Sequence, residues 1–345
     1  MIIKILKKFG ITILLLLIII NIPIVSINHN DSTNNYNNWM KENLDNDIHL
    51  IDIKMLGAHD AFSSDINFLS SPDISADSIM KGIPGTLLKG YLVRQSVTQV
   101  TDVKGLLQNG VRYFDIRLTY NEGNWNTKHN YISSDFYVII ADFINYLETY
   151  HGEFLILDFQ HIDGLDYNNN EDYQIFIEML TTSGLLDYQY INNTKELGEI
   201  TYGDLTNNGE NSKIIIIDKF TKEEKATYDY DLSIRSSWAN TDNFDSALEF
   251  LLEESNTVES SNDLNNSFKV MQGVVTTQMS LNGLTSSLIS WSLIERAENF
   301  NNYLISDQNF NTIINSLPII MVDYANSNDN NFVDKIMNII IENNH

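Results

Sequence analysis

The chain has no cysteine and few basic residues. Without cysteine, no disulfide can stabilise the fold and no thiolate can act as a nucleophile. Only 21 lysines and arginines stand against 46 acidic residues, so the net charge is -25. Nucleic acid is therefore excluded as a partner, because binding its phosphates requires a basic surface.

Three catalytic signatures are also missing. The sequence contains no G-x-S-x-G elbow, no H-E-x-x-H pair and no glycine-rich phosphate loop followed by Lys-Ser/Thr. The chemistry therefore has to come from residues that are dispersed along the chain. No cofactor and no metal ligand set is predicted.

The N-terminus has the pattern of a secretory signal. Three lysines precede an apolar run, which Asn21 and Pro23 interrupt, and Ser26 offers a cleavage point. We expect residues 1–26 to be removed and the protein to be secreted or lumenal, with an uncleaved membrane anchor as the alternative. Cleavage would change the net charge from -25 to -28, since three lysines and no acids are lost. A polar segment, 27–47, then leads into a single predicted domain, 48–345.

Short apolar runs alternate with amphipathic stretches along this domain. We predict helices at 134–150 (with Ser134 as its cap), 172–181, 286–305, 331–341 and after Asp242. Eight strands are predicted at 51–58, 111–118, 126–131, 154–160, 213–219, 232–238, 268–275 and 318–324. Eight strands alternating with helices predict an α/β fold with a largely parallel sheet, closed as a TIM barrel.

The segment 63–110 is too long for an ordinary connection. It contains the apolar stretch IPGTLLKGYL. It is interpreted as an insertion packed on the barrel mouth, or as a lid or an interfacial element.

Polar residues cluster where the predicted strands end. The site of a TIM barrel lies at the carboxyl ends of its strands, so these positions carry the most weight. They are His59 and Asp60 after strand one, Asp115 and Arg117 on strand two, His129 on strand three, Asp158 on strand four, Lys219 on strand five, Trp238 on strand six and Asp323 on strand eight.

Strand two has a strict alternation in VRYFDIRLTY. A period of two places Tyr113, Asp115 and Arg117 on one face and apolar residues on the other. The polar face is expected inside the barrel, although an Asp–Arg ion pair on a half-exposed strand would give the same pattern. His161 has the opposite parity to Asp158 and Gln160 on its strand, which favours a packed or rim position.

His59 alone is more typical of a hydrogen-bonded structural histidine than of a catalytic one. Barrel closure changes this, because strand eight then lies beside strand one and brings Asp323 within reach of His59. A carboxylate on one ring nitrogen raises the basicity of the other, as a general base requires. With His129 as a second titrating group, Asp60 as its partner and Arg117 on the phosphate oxygens, the set suits phosphodiester cleavage.

The sequence resembles the X-domain of phosphatidylinositol-specific phospholipase C, most of all the small X-domain-containing proteins. The resemblance runs from about residue 51 to 341 and rests on LGAHDAFS, LLQNGVRYFDIRL, EFLILDFQHI, SWANTD, VMQGVVTTQ and IIMVDYAN, in the order of the family. It implies a distorted, incomplete TIM barrel of the PLC-like phosphodiesterase type.

The resemblance also implies roles for individual residues. His59 is the base, His129 the acid, and Asp323 and Asp60 support them, while Asp115 and Arg117 meet the phosphate. Calcium-dependent relatives have an acidic residue where Arg117 stands, so the chain is similar to the metal-independent branch. Lys219 matches a residue that contacts inositol, and Asp158, Gln160 and Trp238 are further predicted substrate contacts.

Four positions depart from the pattern of the family. Ala58 and Ala61 stand where hydroxyl residues are usual, Asn130 replaces a glycine, and Gln160 replaces the lysine of bacterial enzymes. The set of acid–base residues is complete, whereas the headgroup contacts differ.

These patterns predict a secreted, monomeric phosphodiesterase that meets the membrane peripherally. It would cleave a phosphatidylinositol-like phospholipid into diacylglycerol and a cyclic inositol phosphate. Two alternatives remain at this stage: an enzyme for another phospholipid or glycerophosphodiester headgroup, and a lipid- or headgroup-binding module without turnover.

Overall fold

A computed structural model of the chain describes residues 32, 34–192, 194–220, 226–261, 265–276 and 293–345. The predicted signal segment lies outside the described residues. The strands are β1 Met55–Ala58, β2 Val111–Asn121, β3 Asn124–His129, β4 Tyr131–Asp135, β5 Phe154–Asp163, β6 Lys213–Asp218, β7 Tyr228–Asp229, β8 Ile234–Ser237, β9 Phe268–Gly273 and β10 Ile319–Val322.

Eight of these strands form one parallel sheet in the order β7-β6-β5-β2-β1-β10-β9-β8. The sheet curls so that the first and last predicted strands become neighbours, with Ala58 opposite Val322. Within the described residues no ladder joins β7 to β8. The fold is thus the predicted incomplete TIM barrel.

One of the eight predicted barrel strands is wrong in its placement. Residues 126–131 belong to an antiparallel hairpin, β3–β4, which extends from the far end of β2 and lies off the path of the barrel. The eighth barrel position is taken by β7, a two-residue strand that is too short to be predicted from an apolar run. The other seven predicted strands are all present with shifted ends.

The helices are α1 Trp39–Asn43, α2 Ser78–Lys81, α3 Ile83–Leu87, α4 Lys89–Arg94, α5 Val103–Gln108, α6 Phe136–Thr149, α7 Asn170–Thr182, α8 Tyr202–Thr206, α9 Tyr230–Ser233, α10 Phe244–Glu259, α11 Leu293–Ser306, α12 Phe310–Ser316 and α13 Phe332–Asn343. The cap of α6 is Asp135, whose side chain accepts the Tyr137 amide, and not Ser134 as predicted. Of the predicted helix 286–305, the part before residue 293 lies outside the described residues. Among the residues that are described, no helix has both the length and the apolar character needed to cross a bilayer.

The two faces of β2 separate as their alternation predicts. On the outer face, Phe114 packs on Phe62 and on Phe143 of α6, with ring centroids 5.8 and 5.0 Å apart. On the inner face, Tyr113 crosses the barrel interior beside Gly57 of β1, where a Cβ atom would lie 2.9 Å from its ring. A glycine in β1 therefore makes room for a tyrosine in β2.

A buried ion pair ties the N-terminal segment to the bottom of the barrel. The Arg112 guanidinium donates to Glu153 at 2.9 Å and to the carbonyls of Tyr36 and Asn37 at 2.8 and 3.0 Å. Trp39 packs in the same hydrophobic core as the barrel strands. The N-terminal segment thus packs against this end of the barrel.

Candidate active site

A cavity of about 470 Å³ opens at the carboxyl ends of the strands. It is lined by residues from β2, β5, β9, the β3–β4 hairpin and the 63–110 insertion, and four of the predicted acid–base and phosphate-binding residues contribute: His59, Arg117, His129 and Asp323. Chain positions separated by more than 200 residues therefore meet in one place, as barrel closure requires.

His59 follows β1 and contacts Asp323 directly. Its Nδ1 lies 2.7 Å from Asp323 Oδ1, which is the contact that the sequence predicts. A carboxylate at Nδ1 keeps the proton on that nitrogen, and Nε2 then accepts from Arg117 Nη2 at 3.1 Å. Burial lowers the pKa of His59, but Asp60 and Asp323 outweigh it and raise the pKa to about 9. His59 is thus a strong base that lines the cavity, with its Nε2 beside the Arg117 guanidinium.

Arg117 is held by two buried carboxylates. Its Nε lies 2.6 Å from Asp60 Oδ1, and its Nη2 donates to Asp115 Oδ2 at 3.1 Å. Burial lowers the pKa of Arg117, but both carboxylates raise it above its ordinary value. The guanidinium therefore stays charged and fixed in orientation, as a phosphate-binding group requires.

His129 lies opposite His59, at the end of β3. The two ring centroids are 6.4 Å apart, with Arg117 beside both. His129 Nδ1 contacts the Ser96 carbonyl at 2.9 Å and Nε2 lies 3.3 Å from Asp60 Oδ2. Because a carbonyl only accepts, Nδ1 carries a proton and Nε2 is the nitrogen that exchanges one. Burial lowers the pKa of His129 below its ordinary value, although Asp60 opposes this.

Asp60 stands between these three groups. Burial raises the pKa of Asp60, but the lowering by Arg117 and the two histidines is larger, so this pKa lies below its ordinary value. Its backbone is left-handed, with φ of 42°. The corner after β1 thus presents a permanent negative charge to the second histidine and to the guanidinium.

A group of possible metal ligands exists among the described residues. One nitrogen or oxygen atom from each of His59, Asp60 and Asp115 lies within 4.8 Å of the others. The guanidinium of Arg117 already contacts both carboxylates at this place. A divalent cation here would be repelled by Arg117, so the donor set does not fit a resident metal.

Asp158 is buried below the cavity and does not line it. It accepts from the Tyr113 hydroxyl at 2.5 Å and from Gln160 Nε2 at 3.1 Å, and its other oxygen has no hydrogen-bond partner among the described residues. Burial and the nearby Asp115 raise the pKa of Asp158 to about 7. Gln160, which also donates to Tyr230, does line the cavity. Asp158 therefore orients Gln160 and is not placed to contact a ligand itself.

The two remaining predicted contacts differ in position. Trp238 lines the cavity with 49% of its surface exposed, and its indole donates to Thr276 at 3.0 Å. Lys219 lies outside the described lining of the cavity, with its ammonium 4.2 Å from the centre of the Tyr230 ring. The inositol contact of Lys219 stays a prediction.

His161 lies at the rim, lining both this cavity and a polar one of about 310 Å³ beside Arg117 and His129. Parity places it on the wrong face, but the register between β2 and β5 shifts here: Ile116 pairs with Phe159, and Arg117 with His161. The extra residue, Gln160, is a bulge, so both Gln160 and His161 reach the cavity.

Sequence reasoning missed a second group of residues beside the site. Ser96, Thr98 and Gln99 of the insertion contact the histidines or the chain next to them. No charge or alternation singles out these residues, and their contacts are mostly to backbone atoms. Only the three-dimensional arrangement reveals them.

Known proteins with similar sequences carry the name of the predicted family. A PI-PLC X-box domain-containing protein of Dictyostelium discoideum is 27% identical over 172 residues, which cover 49% of this chain and 22% of that protein. The variant-surface-glycoprotein phospholipase C of Trypanosoma brucei brucei is 30% identical over 140 residues, covering 37% and 38%. The matches thus span well under half of each relative. No family model matches the chain.

The fold has solved counterparts. The phosphatidylinositol-specific phospholipase C from Listeria monocytogenes superposes with a TM-score of 0.58 over 90% of this chain and 99% of the other, at 17% identity. The resemblance to the X-domain family and to the PLC-like barrel is thereby confirmed.

Proposed function

We propose that the chain is a phosphoric diester hydrolase that cleaves phosphatidylinositol-type lipids. The observation that carries the proposal is the arrangement of His59, Arg117 and His129 around one cavity, with Asp323 on His59 and Asp60 on His129. A base, an acid and a fixed cation stand within reach of one phosphate. The names of the relatives support the substrate class.

The proposal gives each group a role. His59 Nε2 removes the proton of the inositol 2-hydroxyl, and that oxygen attacks the neighbouring phosphorus. As the new P–O bond closes the cyclic phosphate, the bond from phosphorus to the diacylglycerol oxygen breaks. His129 Nε2 donates its proton to this leaving oxygen. The attack is intramolecular, so the enzyme only has to align groups that the substrate already carries.

Arg117 stabilises the charge that builds on the phosphate oxygens. The same charge supports a metal-independent reaction, because the guanidinium supplies at that point what a bound cation would supply. Both of its carboxylate partners stay buried, which keeps it in place before the substrate arrives. We therefore expect activity to persist in EDTA.

Phosphorus NMR of the purified protein with phosphatidylinositol micelles and EDTA tests the proposal. We expect a cyclic phosphate signal that disappears in His59→Ala and in His129→Ala. His151→Ala is the matched control, since this exposed histidine lies at the end of α6, away from the cavity.

Three results would contradict parts of the proposal. Turnover that appears only when Ca²⁺ or Mg²⁺ is restored would overturn metal independence. Turnover of another phosphodiester but not of phosphatidylinositol would overturn the headgroup. Binding of micelles without any product would favour a lipid-binding module.

The proposal includes a membrane-contact surface on the insertion. Residues 78–101 contain no acidic residue, in a chain with 46 of them. In this stretch Ile83 and Leu87 of α3 are 78% and 51% exposed, while Met80 and Leu92, on either side of them in sequence, line the cavity. An apolar surface beside the cavity suits contact with lipid, since the scissile phosphate lies at the headgroup level.

Vesicle co-sedimentation tests this surface. Ile83→Asp and Leu87→Asp should each weaken binding to phosphatidylinositol vesicles by about tenfold or more, because a charge replaces an apolar side chain. Ile191→Asp is the control: Ile191 is 41% exposed and lies close to the start of β6, at the opposite end of the barrel. Equal losses in all three variants would contradict the proposed surface.

Secretion also belongs to the proposal. The signal pattern in residues 1–26 supports it. N-terminal sequencing of protein collected from the medium of the expressing cell checks it. A protein retained in the cytosol with its first residues intact would contradict it.

A further inference from the structure

Four consecutive residues of the insertion, Ser96, Val97, Thr98 and Gln99, run along the back of the two histidines. We call them the strap. They follow α4 directly, and the Ser96 amide and hydroxyl bond to the Val93 and Leu92 carbonyls at 3.0 and 2.9 Å. Ser96, Thr98 and Gln99 are buried. The strap thus connects α4, whose residues are buried or half-buried, to the acid–base residues.

Gln99 joins the strand ends that carry the first acid–base pair. Its amide nitrogen donates to the His59 carbonyl at 2.9 Å and to the Val322 carbonyl at 3.1 Å, and its oxygen accepts from the Ala325 amide at 3.0 Å. One planar group therefore fixes the backbone of His59 and the backbone on both sides of Asp323. Gln99 is fully buried and does not line the cavity, so it acts through these neighbours and not on a ligand.

Thr98 holds two corners with unusual backbone. Asp60 and Tyr324 both have left-handed conformations, with φ of 42° and 53°. The Thr98 hydroxyl donates to the Asp60 carbonyl at 3.1 Å, and its carbonyl accepts the Tyr324 amide at 2.6 Å. Residues other than glycine adopt this conformation only where the surroundings enforce it. Thr98 is one of the contacts that enforce it at the corners next to His59 and Asp323.

Ser96 reaches the second histidine, because its carbonyl accepts from His129 Nδ1 at 2.9 Å. Val97 adds a further tie, since its carbonyl accepts the Tyr324 hydroxyl at 2.5 Å. The two histidines come from different elements, the end of β1 and the end of β3. The strap bonds to both, through Gln99 to the His59 carbonyl and through Ser96 to the His129 ring.

We propose that the strap is a positioning device for the acid–base pair, in which Gln99 sets the contact between His59 and Asp323 and Ser96 sets the orientation of His129. This rests on the proposed function for its catalytic meaning. Its structural part, a fixed relation between His59 and Asp323, holds in the resting protein.

Gln99→Met tests the proposal, because methionine keeps the volume and length of glutamine but offers neither amide group. The first measurement is the NMR titration of the His59 ring, assigned by its absence in His59→Ala. The groups that face His59 are Asp323 from the end of β10, Asp115 and Arg117 from β2, Asp60 from its own corner, and His129 from β3. Loosening the contact with Asp323 should lower the pKa of His59 from about 9 by about one unit or more.

The second measurement is steady-state cleavage of a soluble phosphatidylinositol analogue. We expect kcat of Gln99→Met to fall about 10²-fold, since misplacement of a reacting group by about 1 Å has effects of this size. KM should change little, because Gln99 does not line the cavity. The high-pH limb of kcat/KM should move down with the pKa of His59.

Asn109→Leu is the matched control for a purely structural role. Asn109 is a buried amide of the same insertion, which donates to the Gly105 carbonyl at 2.7 Å, away from the cavity. A Gln99→Met protein whose folded fraction has the wild-type His59 titration, and whose rate loss matches that of Asn109→Leu, would overturn the proposal.

Thr98→Val and Thr98→Ser give an independent test if Gln99→Met does not fold. Only the hydroxyl is lost in Thr98→Val, and Thr98→Ser retains it. We expect kcat to fall in the first and to recover in the second, and equal rates in both would overturn the role of Thr98. Should the wild type itself show no turnover, the proposed function fails. The NMR titration of His59 in the Thr98 and Gln99 variants still tests whether the strap sets the contact between His59 and Asp323.

Discussion

His59 and His129 have opposite surroundings, and this determines how the site titrates. Two carboxylates raise the pKa of His59 to about 9, whereas burial lowers the pKa of His129 below its ordinary value. The proposed reaction needs His59 neutral and His129 protonated. Between the two pKa values the resting protein has mainly the reverse arrangement, so the reactive form is a small and nearly constant fraction.

The pH dependence of kcat/KM follows from this order. As pH decreases below the pKa of His129, kcat/KM decreases because the neutral fraction of His59 becomes smaller. As pH increases above about 9, kcat/KM decreases because the protonated fraction of His129 becomes smaller. The profile is therefore bell-shaped, and the pKa of His59 sets its high-pH limb. In Asp323→Asn that limb should move to lower pH, because a carboxylate 2.7 Å from Nδ1 is replaced by a neutral amide. A limb that stays in place would contradict the assignment of Asp323 to His59.

The raised pKa of Asp158, which lies below the cavity, makes the free energy of unfolding depend on pH. Its pKa is about 7 in the folded protein against 3.8 for the ordinary carboxyl, so the folded state binds more protons between these values. By linkage, the free energy of unfolding falls as pH rises through this range. Asp158→Asn cannot ionise and should gain stability relative to wild type between about pH 5 and 8 in urea unfolding. If the difference in the free energy of unfolding between the two proteins is the same at about pH 5 and about pH 8, the raised pKa of Asp158 is contradicted.

At the scale of elements, β2 is the strand whose pattern was most informative. Alternation correctly placed Tyr113, Asp115 and Arg117 inside the barrel, since a strand buried on one face has only one register that fits. On the neighbouring strand β5, the expected packed or rim position of His161 is correct as to the rim, but the bulge at Gln160 also turns this side chain to the cavity. A bulge leaves no trace in an alternation, so its position could not be predicted.

The hairpin that carries His129 shows a second limit. Residues 126–131 are predicted as a strand, which is correct for the hairpin, but membership of the barrel depends on pairing partners that a single run of residues does not specify. The strap was missed for a related reason. Its hydrogen bonds go largely to backbone carbonyls and amides, which every residue possesses, so no residue type marks them.

The closeness of β1 and β2 predicts the effect of a single methyl group. In Gly57→Ala the new Cβ atom would lie 2.9 Å from the Tyr113 ring and 3.3 Å from the Met321 backbone, so the tyrosine has to move. Overpacking of this kind costs about 1 to 3 kcal/mol. The free energy of unfolding should fall by this amount, and Tyr113→Ala should remove most of the difference in a double-mutant cycle. Additive effects would contradict a clash between the two residues.

At the scale of the whole molecule, the net charge of -25 opposes approach to an anionic bilayer. Within the insertion, the stretch 78–101 beside the cavity differs from this acidic character, because it contains no acidic residue. Raising salt from about 0.01 to 0.15 M shortens the screening length from about 30 to 8 Å and weakens the repulsion more than the apolar contact. Binding to vesicles rich in anionic lipid should therefore increase with salt, while binding to neutral vesicles stays level. A decrease with salt would indicate attraction through basic residues instead.

The pairing of β1 with β10 has a consequence for the synthesis of the protein. His59 and Asp323 are 264 residues apart along the chain, and a ribosome adds about 5 to 20 residues per second, so the aspartate follows the histidine by roughly 13 to 53 s. Until then the nascent chain holds a histidine without its partner, and the barrel has no last strand. The proposed phosphodiesterase would thereby be inactive during most of its own synthesis, because the pair of His59 and Asp323 forms only after residue 323 has been added.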